Sequence, residues 1–331
     1  MAKSDKRMNR NVWFDTISGF FILLIIIQHV LQDCGIYDGY FFERYIVRAF
    51  PAFMPWFFYK SGLFYRNNVP GFSKNQVYKL LYPFFIWSLI PCLLVLPFFL
   101  MNGEMYNYFV NILRSLYYAH GVFNAPLWFL PSLLISSLTV YYFTNIRIRV
   151  GGVILIALVL SYIIYYYNIQ LPLGISYMFL GIYFYSLGVI CQTLTIKFRW
   201  IPLLVISYIT ILIVSPSMVN FHRNQLTYGN YFIYIILCTL FLLMVQSLNQ
   251  YNLNEKVISY IGKNSMYFYV SHAPVIVLTD NIIDTFDLSI DWFVKLIIES
   301  ILIIFVCVVI CKFKYKIQYM FVYKKKDFVL C

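Results

Sequence analysis

The chain has 331 residues, of which 62% are hydrophobic, 21% aromatic and only 11% charged. Soluble domains carry roughly 25% charged residues, so the composition excludes a soluble globular protein and describes an all-α polytopic membrane protein. The net charge of +12 would point to nucleic acid in a soluble protein. Here the loop topology accounts for it, and no nucleic-acid partner is expected.

Met1–Asn11 is polar and basic and runs straight into a long apolar segment. No small-residue cleavage pattern follows, so residues 1–12 read as a retained cytoplasmic tail. Apolar runs of about 17–25 residues, enough to span a bilayer, follow ten times: Phe14–Leu31, Ile46–Tyr65, Leu80–Leu100, Leu127–Thr144, Gly151–Tyr167, Leu173–Gln192, Trp200–Ser217, Tyr231–Ser247, Ile261–Leu278 and Trp292–Cys311. With the N-terminus inside, nineteen of the 25 Lys and Arg fall on the inner side, five on the outer side, and Lys60 within a span. That asymmetry follows the positive-inside rule. It predicts about ten transmembrane helices with both termini cytoplasmic, forming one integral-membrane domain over residues 1–331 in the cytoplasmic membrane. Residues 313–331 read as a basic cytoplasmic tail, and the acidic run Asp280–Asp291 as a solvated outer loop without EF-hand spacing. The seven cysteines are scattered and show no metal-binding spacing, so they read as small apolar residues. No metal is expected.

The first span carries polar groups along one face. At 100° per residue Asp15, Ser18, Ile22, Ile25 and His29 align, with Ser18 and His29 about 16 Å apart along the axis. Ionisable groups are costly in a bilayer, and those retained face a cavity or a partner. His29 is the first candidate for chemistry, since imidazole titrates near neutrality and can take a proton from a hydroxyl; the bland reading is a helix-end histidine wetted by headgroups. His272, midway along the ninth span, is either a second reactive group or a hydrogen-bond partner between helices. His120 precedes Pro126-Leu127-Trp128-Phe129-Leu130 in an outer loop. Lys60, in Met54-Pro55-Trp56-Phe57-Phe58-Tyr59-Lys60-Ser61-Gly62, either snorkels to the interface or pairs with Asp15. Glu299 is a further charge inside a span, with no obvious local partner.

These residues carry a resemblance. The first span resembles the opening signature of the integral-membrane acyltransferase-three family of bacterial O-acyltransferases: Asp-x-x-(Arg/Lys)-Gly, an apolar run, then His. Asp15, Gly19 and His29 match it, while Ser18 stands where the family usually has Arg or Lys. Met54–Phe58 with Ser61-Gly62, Lys79-Leu80-Leu81-Tyr82-Pro83, Leu127–Leu130, and Ile261-Gly262-Lys263-Asn264-Ser265 running on to His272 resemble later signatures in the same order.

The resemblance implies transfer of an acyl group, acetyl from acetyl-CoA as co-substrate, to a sugar hydroxyl of a surface polysaccharide or its lipid-linked precursor. It implies His29, Asp15 and His272 as catalytic residues. Lys60 would supply the cation missing at Ser18, with Lys79 and Arg66 toward the donor, and His120 and Trp128 on the acceptor side. The lipid bilayer and polysaccharide-assembly proteins are the expected partners. Two rivals remain open: a transporter or flippase of a polysaccharide precursor, and a non-catalytic component of a synthesis complex.

Overall fold

The computed structural model describes residues 11–35, 46, 48–66, 69–146, 148–194, 196–249 and 255–322. Among them the chain folds as helices in sequence: α1 (Val12–Asp33), α2 (Phe53–Leu63), α3 (Phe72–Met101), α4 (Met105–Tyr117), α5 (Phe129–Asn145), α6 (Val150–Tyr166), α7 (Ile175–Cys191), α8 (Ile201–Val214), α9 (Tyr231–Leu248), α10 (Lys256–Lys263), α11 (Ser265–Thr285) and α12 (Trp292–Val322). A short antiparallel hairpin, β1 (Met218–Asn220) and β2 (Gln225–Tyr228), interrupts them between α8 and α9, with Val219 opposite Leu226.

Among the described residues six stretches are long and apolar enough to cross a membrane: Val12–Asp33, Phe72–Met101, Ala125–Asn145, Pro172–Cys191, Tyr231–Leu248 and Trp292–Phe313. Val150–Tyr166 and Ile201–Val214 are apolar but shorter. Six is fewer than the ten spans read from the sequence, and the departures have local causes. In the second expected span the helix is interrupted: residues 48–49 are helical, residues 50–52 are not, and α2 then runs for 11 residues, about 16 Å at 1.5 Å per residue. Pro51 lacks a backbone N–H and biases Phe50 away from helical angles, which delays the helix start. The ninth expected span is broken at Asn264, whose side-chain amide donates to the Tyr260 carbonyl at 2.8 Å and closes α10 before α11 begins; α11, at 21 residues, is long enough to span, but His272, Asp280, Asn281 and Asp284 make it less apolar than the six. The expected C-terminal tail is helical as far as Val322; Lys324, Lys325 and Lys326 lie outside the described residues, as do Met1–Arg10.

Burial sorts the helices into layers. The membrane-length window of Pro172–Cys191 is 67% buried, against 17% for those of α3 and α12. So α7 is central, packed on α2, α5 and α6, while α3 and α12 face the lipid. Two glycine pairs set the closest helix contacts. A Cβ on Gly19 of α1 would overlap the Ile258 carbonyl of α10, and one on Gly262 would overlap the Asp15 carbonyl. Gly62 and Gly188 bring α2 and α7 together in the same way. Small residues at a helix crossing let backbones approach, which is how membrane helices gain packing without a hydrophobic drive between them.

The α4 helix had no counterpart in the sequence reading. Tyr106, Phe109, Leu113 and Leu116 form an exposed apolar stripe along it, the pattern of a helix lying at a membrane interface.

Candidate active site

The α1 helix begins at Asn11, whose side-chain oxygen accepts from the Phe14 N–H at 3.2 Å. Its apolar face carries Phe21, Ile22 and Ile25 into the core, so its polar positions are held against α2, α10 and α11. Near its start, Lys60 of α2 places its ammonium 3.2 Å from Asp15 Oδ1 and donates to Ser18 Oγ at 2.8 Å and to the Phe14 carbonyl at 3.4 Å. Trp56 Nε1 also donates to Ser18 Oγ, at 3.0 Å, while the Ser18 hydroxyl donates to the Phe14 carbonyl at 2.8 Å. Lys60 therefore pairs with Asp15 rather than merely snorkelling. Its positive charge rests on the side chain at position 18. A carboxylate at 6% exposure is retained in such a setting when a cation meets it.

At the far end of α1 the two span histidines meet. His29 Nδ1 lies 2.8 Å from His272 Nε2, with the rings stacked at 5.1 Å between centroids and 7° between planes. His272 is fully buried, and its Nδ1 is 3.2 Å from the Phe268 carbonyl. These partners assign the tautomers. A carbonyl accepts only, so His272 carries its proton on Nδ1 and offers a lone pair at Nε2. His29 then donates from Nδ1, and its own Nε2 is left as a base. His272 thus fixes the orientation of His29, which keeps a lone pair at Nε2.

A buried amide absent from the sequence reading ties α11 to α3. Pro274 has no N–H to give the Val270 carbonyl, and Pro91 has none for the Trp87 carbonyl. Asn124, fully buried, donates from Nδ2 to both, at 2.9 Å to Val270 and 3.2 Å to Trp87. One side chain thus satisfies two helices whose prolines freed an acceptor, two residues before His272 on α11. The sequence signal for it was a proline four residues after each orphaned carbonyl.

A second histidine pair lies outside the spans. The hairpin carries His222 to His120, where their Nε2 atoms share a hydrogen bond. Trp128 lies 5.4 Å from the His222 ring, Tyr177 also 5.4 Å, and Tyr118 stacks on His120 at 5.6 Å. The hairpin is anchored on α6: Asn224 Nδ2 donates to the Ser161 carbonyl at 2.9 Å, and Tyr231 Oη donates to Asn224 Oδ1 at 2.9 Å. Burial pushes the imidazole of His222 down to about 3, with His120 and Arg223 adding to the shift; burial, then Arg114, brings His120 down to about 4. Both are neutral at physiological pH. The sequence reading singled out His120 and Trp128 but not His222, because nothing local joins residues a hundred positions apart. Phe129 and Tyr269, 5.6 Å apart, continue the aromatic wall from Trp128 toward His272.

Arg66 and Lys79 are exposed. Glu299 does have a neighbour: Lys295 Nζ lies 3.8 Å from it, 2.5 Å from Asp33 and 2.6 Å from Asp280. Asp280 is thus part of a paired cluster at the end of α11 rather than of a solvated loop. Asp33, Asp280 and Glu299 are the one group among the described residues with carboxylates spaced to hold a metal ion, and the Lys295 ammonium stands among them. Among the described residues no cysteine forms a disulfide: Cys191, Cys238, Cys307 and Cys311 are buried, and Cys34 and Cys92 half-buried.

A family model described as an acyltransferase domain matches residues 11–312. The chain belongs to the acyltransferase-3 family. It is a multi-pass membrane acyltransferase, in contact with the lipid bilayer. No curated protein and no solved structure matches it. The family match runs from the first residue of α1's cap to the middle of α12, so both ends of the α1 polar line and the His29–His272 pair fall inside it.

Proposed function

We propose that this acyltransferase moves an acetyl group from acetyl-CoA to a sugar hydroxyl of a surface polysaccharide or its lipid-linked precursor, in the cytoplasmic membrane. The observation that carries the reading is the His29–His272 pair, in which His272 holds His29 as the tautomer with a basic Nε2. In the reaction, His29 Nε2 takes the proton of the sugar hydroxyl as its oxygen bonds to the thioester carbonyl carbon. The tetrahedral intermediate collapses, the carbon–sulfur bond breaks, and the proton passes from His29 to the departing CoA thiolate. General-base help of this kind contributes roughly 10²–10⁴-fold.

Lys60 serves as the cation the family usually places at position 18, since its ammonium reaches Ser18 Oγ directly. It meets the donor's negative charge at the end of α1 opposite the histidines, and the extended arm of CoA separates its phosphates from its thioester in the same sense. Arg66 and Lys79 add positive charge to the face the loop charges assign to the cytoplasm. His120, His222, Trp128 and Tyr177 form the acceptor side, where aromatic faces stack on a sugar ring.

The test is gene deletion, complementation with wild type, His29→Ala and Lys60→Ala, and NMR of O-acetyl groups on the purified surface polysaccharide. Signals lost on deletion, restored by wild type and absent with a stably inserted His29→Ala are expected. Unchanged O-acetylation on deletion would remove acetyl transfer to this polymer; loss of surface polymer itself would favour transport. Adding Ser18→Lys to Lys60→Ala should restore part of the signal if a cation at that spot is what matters.

A further inference from the structure

We infer that Lys295 is a positioning residue for the histidine pair: its ammonium clamps together the helix turns that follow His29 and His272. The inference rests on the reading of that pair as the reacting site. Asp33 is four residues beyond His29 on α1, and Asp280 is eight beyond His272 on α11, about 6 Å and 12 Å along their axes. Lys295, on α12, contacts both carboxylates at 2.5 and 2.6 Å, and its Nζ also donates to the Asp33 carbonyl at 3.4 Å. A lipid-facing helix therefore reaches inward with one cation at the place where the two histidine-bearing helices meet.

The charge balance of the cluster makes the clamp strong in one direction. Three carboxylates surround one ammonium, and Glu299, fully buried, has no hydrogen-bond partner for either oxygen. Their ligand atoms all lie within 4.8 Å of one another. Like charges this close repel, and the low dielectric beside a bilayer screens them poorly. With Lys295 present the acids are drawn to a common point. Without it, the acids either take up protons or move apart; in both cases the contact that joins α1 to α11 is lost, and the stacked imidazoles are no longer held together. The cluster does not touch the reacting atoms, so its effect on the chemistry is geometric. A displacement of about 1 Å at a reacting group is enough to cost about 10²-fold in rate.

Two measurements on the full-length protein test this. In a background free of the native cysteines, His29→Cys with His272→Cys is treated with a short bis-methanethiosulfonate cross-linker. Lys295→Met should lower the cross-linked fraction severalfold, while Lys295→Arg retains it. In the native-histidine protein, Lys295→Met should lower kcat by about 10²-fold with the acyl-donor KM unchanged, and Lys295→Arg should recover most of it. Cross-linking and kcat that are indifferent to Lys295→Met overturn the inference. Asp280→Asn removes the α11 contact alone, so it decides the matter if Lys295→Met fails to insert: unchanged cross-linking there also overturns the clamp. If wild type transfers no acyl group, the functional reading fails, and the cross-linking still reports on the clamp.

Discussion

Replacing Asn124 with Ala tests how the bundle tolerates prolines inside two of its helices. The side chain donates to the Trp87 and Val270 carbonyls, which Pro91 and Pro274 have deprived of their helical partners. Alanine leaves both acceptors without a donor at a site that excludes water. Each unsatisfied buried group costs about 1–3 kcal/mol. Asn124 Oδ1 itself has no partner, and removing it returns part of that. The net loss is about 2–4 kcal/mol, a large share of the roughly 5–15 kcal/mol by which a folded domain is stable. The assay is the apparent Tm of detergent-purified protein, read by size-exclusion after heating, which should fall by several degrees. Asn124→Asp should be at least as damaging, because an ionised carboxylate offers two carbonyls no donor. The decisive comparison is a cycle with Pro274→Ala. Alanine at 274 supplies an N–H to Val270, so Asn124→Ala should cost less in that background. An unchanged Tm in Asn124→Ala, or an equal loss with and without Pro274, would refute the reasoning.

Gly262→Ala should lower stability and insertion sharply, because its Cβ meets the Asp15 backbone carbonyl rather than a movable side chain; equal yield of monodisperse protein would show that the α1–α10 contact can open freely. His272→Leu removes the acceptor for His29 Nδ1–H and should lower transfer by about 10–10²-fold, with His272→Gln, which keeps a carbonyl acceptor, less affected; equal rates in both would separate His272 from the orientation of His29. The His120–His222 pair gives a pH signature. Both are held below the ordinary value of 6.5 in the folded protein, so the unfolded chain binds more protons as pH falls below about 6.5. Their contribution is full above that pH and is lost progressively as pH drops toward 4. Hairpin protection measured by hydrogen exchange should weaken from pH 7 to pH 5, and His222→Phe should flatten the response. A wild-type response as flat as that of the variant would contradict it.

Composition and hydropathy determined the class of protein directly, since removing apolar surface from water and keeping charge out of lipid act on each segment by itself. The first-span pattern was legible for the same reason: Asp15, Ser18 and His29 lie on one helix, where spacing alone fixes a common face. The Asp15–Lys60 pair was within reach because both lie at one depth on adjacent segments. Tertiary structure decided the rest. It stacked His29 on His272, which are 243 residues apart, and that contact selects the basic nitrogen. It carried His222 to His120 on a hairpin too short for any periodicity to reveal. It turned Asp280 and Glu299 from loop and orphan charges into ligands of Lys295, and it gave Asn124 two carbonyls from different helices. Each of these depends on side chains from separate helices converging on one point, and a sequence records the order of helices along the chain but not the packing that brings their faces together.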